Sequence, residues 1–81
     1  MSTLHIHAPQ PTRIERRRIK CPTCQQRRTF IGALYEWYGW LITCLHCGDR
    51  WQDGERMPRP FAPGWRKDNV RRARKLAESK C

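Results

Sequence analysis

The sequence predicts a small β domain stapled by one metal ion, with a basic arm before it and an amphipathic helix after it. Two observations carry that fold class and a third sets its limits. Cys21-Pro22-Thr23-Cys24 and Cys44-Leu45-His46-Cys47 are two Cys-x2-Cys pairs with 19 residues between them, a spacing at which paired thiolates hold a tetrahedral ion. The residues between the pairs are rich in β-branched and aromatic side chains, as strands are. The whole chain has 81 residues, 38% of them hydrophobic, with a mean hydropathy of −0.89. That allows one domain with a thin core, and a scaffold of this size needs a staple.

In each cysteine pair, two intervening residues let the backbone make one tight turn and aim both sulfurs at the same ion, at about 2.3 Å for zinc. Cys21, Cys24, Cys44 and Cys47 would fill all four positions and leave none for water or substrate. The expected cofactor is therefore one structural Zn²⁺. Structural zinc contributes on the order of 10–16 kcal/mol in small finger peptides, as much as the entire stability of an ordinary domain, so metal removal is expected to unfold the central region. Rubredoxin-like iron sites share the paired knuckles, but a strongly basic chain with tails favours binding over electron transfer, and hence zinc.

The arrangement is read as four segments: a flexible arm over 1–12, a ribbon over 13–56, a proline-rich linker over 57–64, and a basic amphipathic helix with the C-terminus over 65–81. The arm has no hydrophobic period. Its His5 and His7 lack further ligands and are read as polar residues. Arg16 to Lys20 is the strand feeding the first knuckle, with Ile19 on one face and Arg16, Arg18 and Lys20 on the other. After Cys24 a hairpin of two strands, Thr29 to Ile31 and Trp37 to Thr43, must go out and return. Gly32 and Gly39 both permit its turn, and the midpoint falls near Leu34. On the return strand Tyr38, Trp40 and Ile42 face one side, and Trp37 and Leu41 the other. Both faces are apolar, so the carboxy-terminal segment, a second copy or a partner must cover one of them. Asp53-Gly54 and the prolines at 58, 60 and 63 stop any helix from starting at the second knuckle, which argues for a short strand over Arg50 to Gln52 with Trp51 beside the metal. The sum is a three-stranded zinc ribbon.

Cys44-Leu45-His46-Cys47-Gly48-Asp49-Arg50-Trp51 resembles the Cys-x2-Cys-Gly-x-Arg-Trp signature of the zinc ribbons in the eukaryotic transcript-cleavage elongation factor and in a small RNA polymerase subunit that shares its fold. The resemblance spans roughly residues 16–53. It implies a three-stranded ribbon with four zinc-binding cysteines, and it implies fold more than activity. In the cleavage factor an adjacent Asp-Glu pair at the hairpin tip supplies the chemistry; this hairpin offers only Glu36, so that activity does not carry over.

Trp65 to about Ser79 has the period of a helix. Trp65, Val70, Ala73, Leu76 and Ala77 share one face, and Lys67, Arg71, Arg72, Arg74 and Lys75 fill the rest. Asp68 in the first turn suits the helix dipole. Cys81 has no partner at ligand spacing and is read as a free thiol.

Seventeen Lys and Arg against seven Asp and Glu give a net charge of +10. The excess is uneven: residues 1–20 carry five basic and one acidic side chain, 63–81 carry seven and two, and 21–62 carry five and four. A near-neutral ribbon between basic flanks points to a polyanionic partner. No apolar run is long enough to span a membrane and the amino terminus lacks a signal-peptide core, so the expected location is cytoplasmic, or the nucleoid or nucleus, where thiols stay reduced. There is no clustered Asp/Glu set for magnesium, no His/Asn nuclease constellation and no phosphate-cradling glycine loop, so no enzyme and no small-molecule substrate are expected.

Three functions fit. The first is a nucleic-acid-binding, transcription-associated protein whose phosphate contacts come from Arg16, Arg17, Arg18, Lys20, Lys67, Arg71, Arg72, Arg74 and Lys75. The second is a module that docks on a protein such as RNA polymerase through Trp37, Tyr38 and Trp40. The third is a component of a ribosome or viral particle. The first is favoured by a small margin over the second, because Coulomb attraction does not distinguish one polyanionic or acidic partner from another.

Overall fold

The computed structural model of the chain describes residues 10–79; His5, His7 and Cys81 lie outside them. Five strands precede one helix: β1 (Arg13–Cys21), β2 (Gln26–Tyr35), β3 (Gly39–Cys44), β4 (Arg50–Gln52), β5 (Glu55–Arg56) and α1 (Trp65–Ser79). The strands form a single antiparallel sheet in the order β1-β2-β3-β4-β5, a meander in which every strand pairs with its sequence neighbour.

The expected three strands are thus five. The ribbon core, β1 to β3, runs longer than the strand content alone indicated, because β1 and β2 pair continuously from Arg13↔Leu34 to Cys21↔Gln26. Thr12 extends that pairing: its N–H donates to the Leu34 carbonyl at 2.7 Å, so the end of the arm belongs to the sheet. The hairpin turn is Glu36-Trp37-Tyr38, closed by Tyr35↔Gly39, with Gly39 at φ +87 supplying the left-handed residue that ends such a loop. The fifth strand exists because Asp53 and Gly54 both take positive φ (49 and 89), the two-residue turn that reverses a strand with the sheet's own twist. Asp53-Gly54 does end the chain's helical options, but it does so by building a hairpin.

Antiparallel register fixes the two faces of the sheet, since paired residues point to the same side. One face carries Phe30 and Cys44, then Gly32, Ile42 and Trp51. Phe30 and Trp51 are buried there with ring centroids 5.5 Å apart, in one cluster with Cys21, Cys44 and Cys47. The opposite face carries Ile31 with Thr43 and Ala33 with Leu41. The helix lies across β1, β2 and β3 on this second face, where Ala73 is buried, Asn69, Ala73 and Leu76 adjoin Leu41 and Thr43, and Ala77 adjoins Ile14 and Ile31. The carboxy-terminal segment is therefore what covers the second apolar face. No helix among the described residues is long and apolar enough to cross a membrane.

Candidate functional site

The two knuckles use one backbone design. In the first, the Gln25 N–H donates to the Cys21 carbonyl at 2.8 Å; in the second, the Gly48 N–H donates to the Cys44 carbonyl at 2.9 Å. In each, the second cysteine's N–H points at the first cysteine's sulfur, Cys24 N to Cys21 Sγ at 3.4 Å and Cys47 N to Cys44 Sγ at 3.5 Å. The residue after each pair is left-handed, Gln25 at φ 63 and Gly48 at φ 78. That conformation turns the chain out of the knuckle and into the next element.

Register brings the knuckles together, because Phe30 pairs with both Arg17 and Cys44 and so draws β1 and β3 to either side of β2. The four sulfurs lie within 4.8 Å of one another. Tetrahedral zinc with Zn–S near 2.3 Å requires sulfurs about 3.8 Å apart, and Cys21 Sγ and Cys47 Sγ stand at 3.7 Å. A disulfide would need about 2.05 Å, and the four thiols are free. Cys21 and Cys44 are fully buried and Cys47 nearly so. Burial, with sulfurs on every side, pushes the Cys47 thiol well above its usual range. Such a site resists becoming anionic by itself, and a cation shared by four thiolates removes that cost. The residues present therefore fit a soft, tetrahedral metal ion, held against the apolar wall of Phe30 and Trp51.

Two buried polar residues tie this centre to the rest of the molecule, and sequence reading singled out neither. Asp49 is only 1% exposed. Its Oδ2 accepts from Thr23 Oγ1 in the other knuckle, from Arg56 on β5 at 2.9 Å and from Arg59 at 3.4 Å. A single carboxylate thus joins both knuckles, the last strand and the proline-rich segment, whose Arg59 is held rather than free. Asn69 is the second: its Nδ2 donates to the Gly48 carbonyl at 2.8 Å from inside the helix. The Asn69 amide interrupts the apolar arc of the helix, and an acid directly after a knuckle is unusual in so basic a chain; those were the available signals.

Gly48 is where the helix and the second knuckle touch. A Cβ there would stand 2.5 Å from the Arg66 carbonyl oxygen and 2.8 Å from its Cα, both backbone atoms, so the helix start packs directly on the knuckle.

The expected phosphate-binding residues fall into groups. Lys67, Arg71, Arg74 and Lys75 line an open cleft between helix and second knuckle, joined by Arg66. Arg16 and Arg18 line an adjoining cleft with Arg27, Arg28 and, again, Arg74. Leu45 and His46 of the second knuckle border both clefts, so a continuous basic band runs from the helix over the knuckle to β1 and β2. Arg17 stands apart on the metal-side face: it pairs with Glu15 at 2.7 Å and lies over Trp40, 5.1 Å from the ring. Arg72 borders a different groove, and Lys20 borders neither basic cleft. Arg27, Arg28 and Arg66 were missed. The pairing of Cys21 with Gln26 sets Arg27 beside Lys20 and Arg28 beside Ile19, a consequence of the register rather than of local composition.

Trp37, Tyr38 and Trp40 do not form one surface. Trp40 covers Gly32, its ring 3.3 Å from where a Cβ would be, on the metal-side face. Trp37, 79% exposed, and Tyr38 line a mostly apolar groove on the helix side with Tyr35, Leu41 and Leu76.

No family model, no curated protein and no solved structure matches this chain.

Proposed function

We propose that the protein is a non-catalytic zinc-ribbon protein that binds nucleic acid, its metal centre serving as the scaffold that sets a basic band against the phosphate backbone. The observation that supports this reading is the distribution of charge. Basic side chains from β1, β2 and α1 converge across the second knuckle. Away from them Glu15 pairs with Arg13 and Arg17, and Asp49 with Arg56 and Arg59; within the band Asp68 pairs with Arg71 at 3.9 Å and Glu78 borders both clefts. The band keeps a net positive charge that attracts a polyanion, and guanidinium groups match phosphate oxygens two at a time. Zinc is favoured over iron because a closed four-thiolate centre in a small intracellular binding module needs no redox chemistry.

The test is a salt series with duplex DNA and duplex RNA. Log affinity should fall linearly with log salt, at about −0.9 per phosphate neutralised on B-DNA. Arg71→Gln with Arg74→Gln should make that slope shallower by roughly one to two; Lys20→Gln, outside the band, should change it less. A flat salt response would overturn the reading.

A second reading rests on the helix-side groove. Its exposed Trp37 is the kind of aromatic anchor that dominates protein interfaces, and docking on a large complex such as RNA polymerase would place it in contact. Trp37→Ala would then abolish binding to the complex and leave the salt-dependent nucleic-acid affinity intact.

A further inference from the structure

The basic band has two open clefts of different make-up. The larger, about 880 Å³, runs between the helix and the second knuckle, where Arg66, Lys67, Arg71, Arg74 and Lys75 are joined by Glu78. The smaller, about 500 Å³, draws Arg16 and Arg18 from β1, Arg27 from β2 and Arg74 from α1 to one side of the sheet, with His46 at its edge and Glu78 as its one acid. Arg16, Arg18 and Arg74 make no ion pair with any described residue. Arg27 is positioned by donating to the Arg18 carbonyl at 3.1 Å, which holds its guanidinium group over β1.

Four guanidinium groups drawn to one cleft with a single carboxylate repel one another unless an anion sits among them. A phosphodiester brings one charge per nucleotide and spreads it along the strand. A terminal phosphomonoester or a polyphosphate brings two or more charges to one point, with oxygens enough for several bidentate contacts. We propose that this cleft is a discrete receptor for a compact, multiply charged phosphate, either the phosphorylated end of a nucleic-acid strand or a free polyphosphate. The first of these rests on the nucleic-acid reading and the second does not.

The experiment compares single strands of one RNA sequence bearing a 5′-triphosphate, a 5′-monophosphate or a 5′-hydroxyl, with free tripolyphosphate as a fourth ligand, all on the metal-loaded protein at one salt concentration. Charge-assisted contacts of this kind predict roughly tenfold or greater preference for the triphosphate end over the hydroxyl end. Arg16→Gln and Arg18→Gln should each erase that preference, whereas Lys67→Gln and Arg71→Gln, outside the cleft, should weaken all three strands equally and keep the ratio. Arg16 and Arg18 are both exposed, so the substitutions leave the packed sheet intact. Equal affinity for the three strand ends would overturn the receptor while leaving nucleic-acid binding in place. Tight tripolyphosphate binding that is lost in Arg18→Gln, with no strand bound at all, would uphold the receptor and remove the nucleic-acid reading.

Discussion

The first and second knuckles share a backbone and differ in everything around it. The first, Cys21 to Gln25, stands at the end of the β1-β2 ribbon with Pro22 and Gln25 exposed and Cys24 half-buried. Its left-handed position is filled by glutamine, whose side chain folds back to donate to the Pro22 carbonyl at 2.8 Å. The second, Cys44 to Gly48, is buried from Cys47 to Asp49 and reaches four other elements: Gly48 meets the helix start and its carbonyl meets Asn69, and Asp49 joins the first knuckle, β5 and the proline-rich segment. One knuckle only closes the four-sulfur cluster. The other is a clip that also locates the helix, and with it half of the basic band. Identical metal-binding spacing therefore says little about how a knuckle is used; its neighbours decide that.

Cys44→Ser replaces a buried thiolate at the junction and should abolish metal binding and the folded sheet together, a loss on the scale of about 10 kcal/mol; the checks are metal stoichiometry and the circular dichroism of the purified protein. Gly48→Ala keeps all four ligands but needs a left-handed alanine and pushes a methyl into the Arg66 backbone. The conformational strain is about 1 kcal/mol or more and the overlap adds about 1–3 kcal/mol, so thermal unfolding should begin far below that of the parent. Asp49→Asn leaves two arginines and Thr23 without their carboxylate. Arg56 and Arg59 are nearly half exposed and can turn to water, which limits the loss to about 2 kcal/mol, and protease sensitivity over residues 57–64 should rise with it. Gln25→Gly should act with the opposite sign. It relieves a strained left-handed residue and adds freedom to the unfolded chain, so denaturant midpoints should stay level or gain up to about 1 kcal/mol, against the clear loss at Gly48.

Much of this molecule is legible in residue order. The cysteine spacing reads directly as a shared site because a knuckle is local, and the helix over 65–79 reads directly because its apolar face recurs at the helical period. Register does not read so easily. The strand count fell short at Asp53-Gly54, where a turn that demands two positive φ values was taken only as a helix stop. Asp49 and Asn69 were passed over because a buried polar residue is recognised by the partners that satisfy it, and those partners, Thr23, Arg56, Arg59 and the Gly48 carbonyl, are 7 to 26 positions away. The basic band has the same character. Arg16, Arg18 and Arg74 are visible as charge, but Arg17 turns out to serve Glu15 and Trp40 on the other face, and Arg27 and Arg28 join the band only through pairing with β1.

One measurement bears most directly on the claim that the metal centre exists to hold the band in place: the affinity of the protein for duplex nucleic acid at fixed salt, before and after chelation of the metal. Four thiolates on one divalent ion leave the bound form two charges less positive than the chain with neutral thiols. Charge alone therefore predicts tighter binding after chelation. A second knuckle that holds the helix predicts the reverse, a loss of roughly tenfold or more as chelation releases the helix and the band comes apart. Equal or tighter binding by the metal-free protein would contradict it.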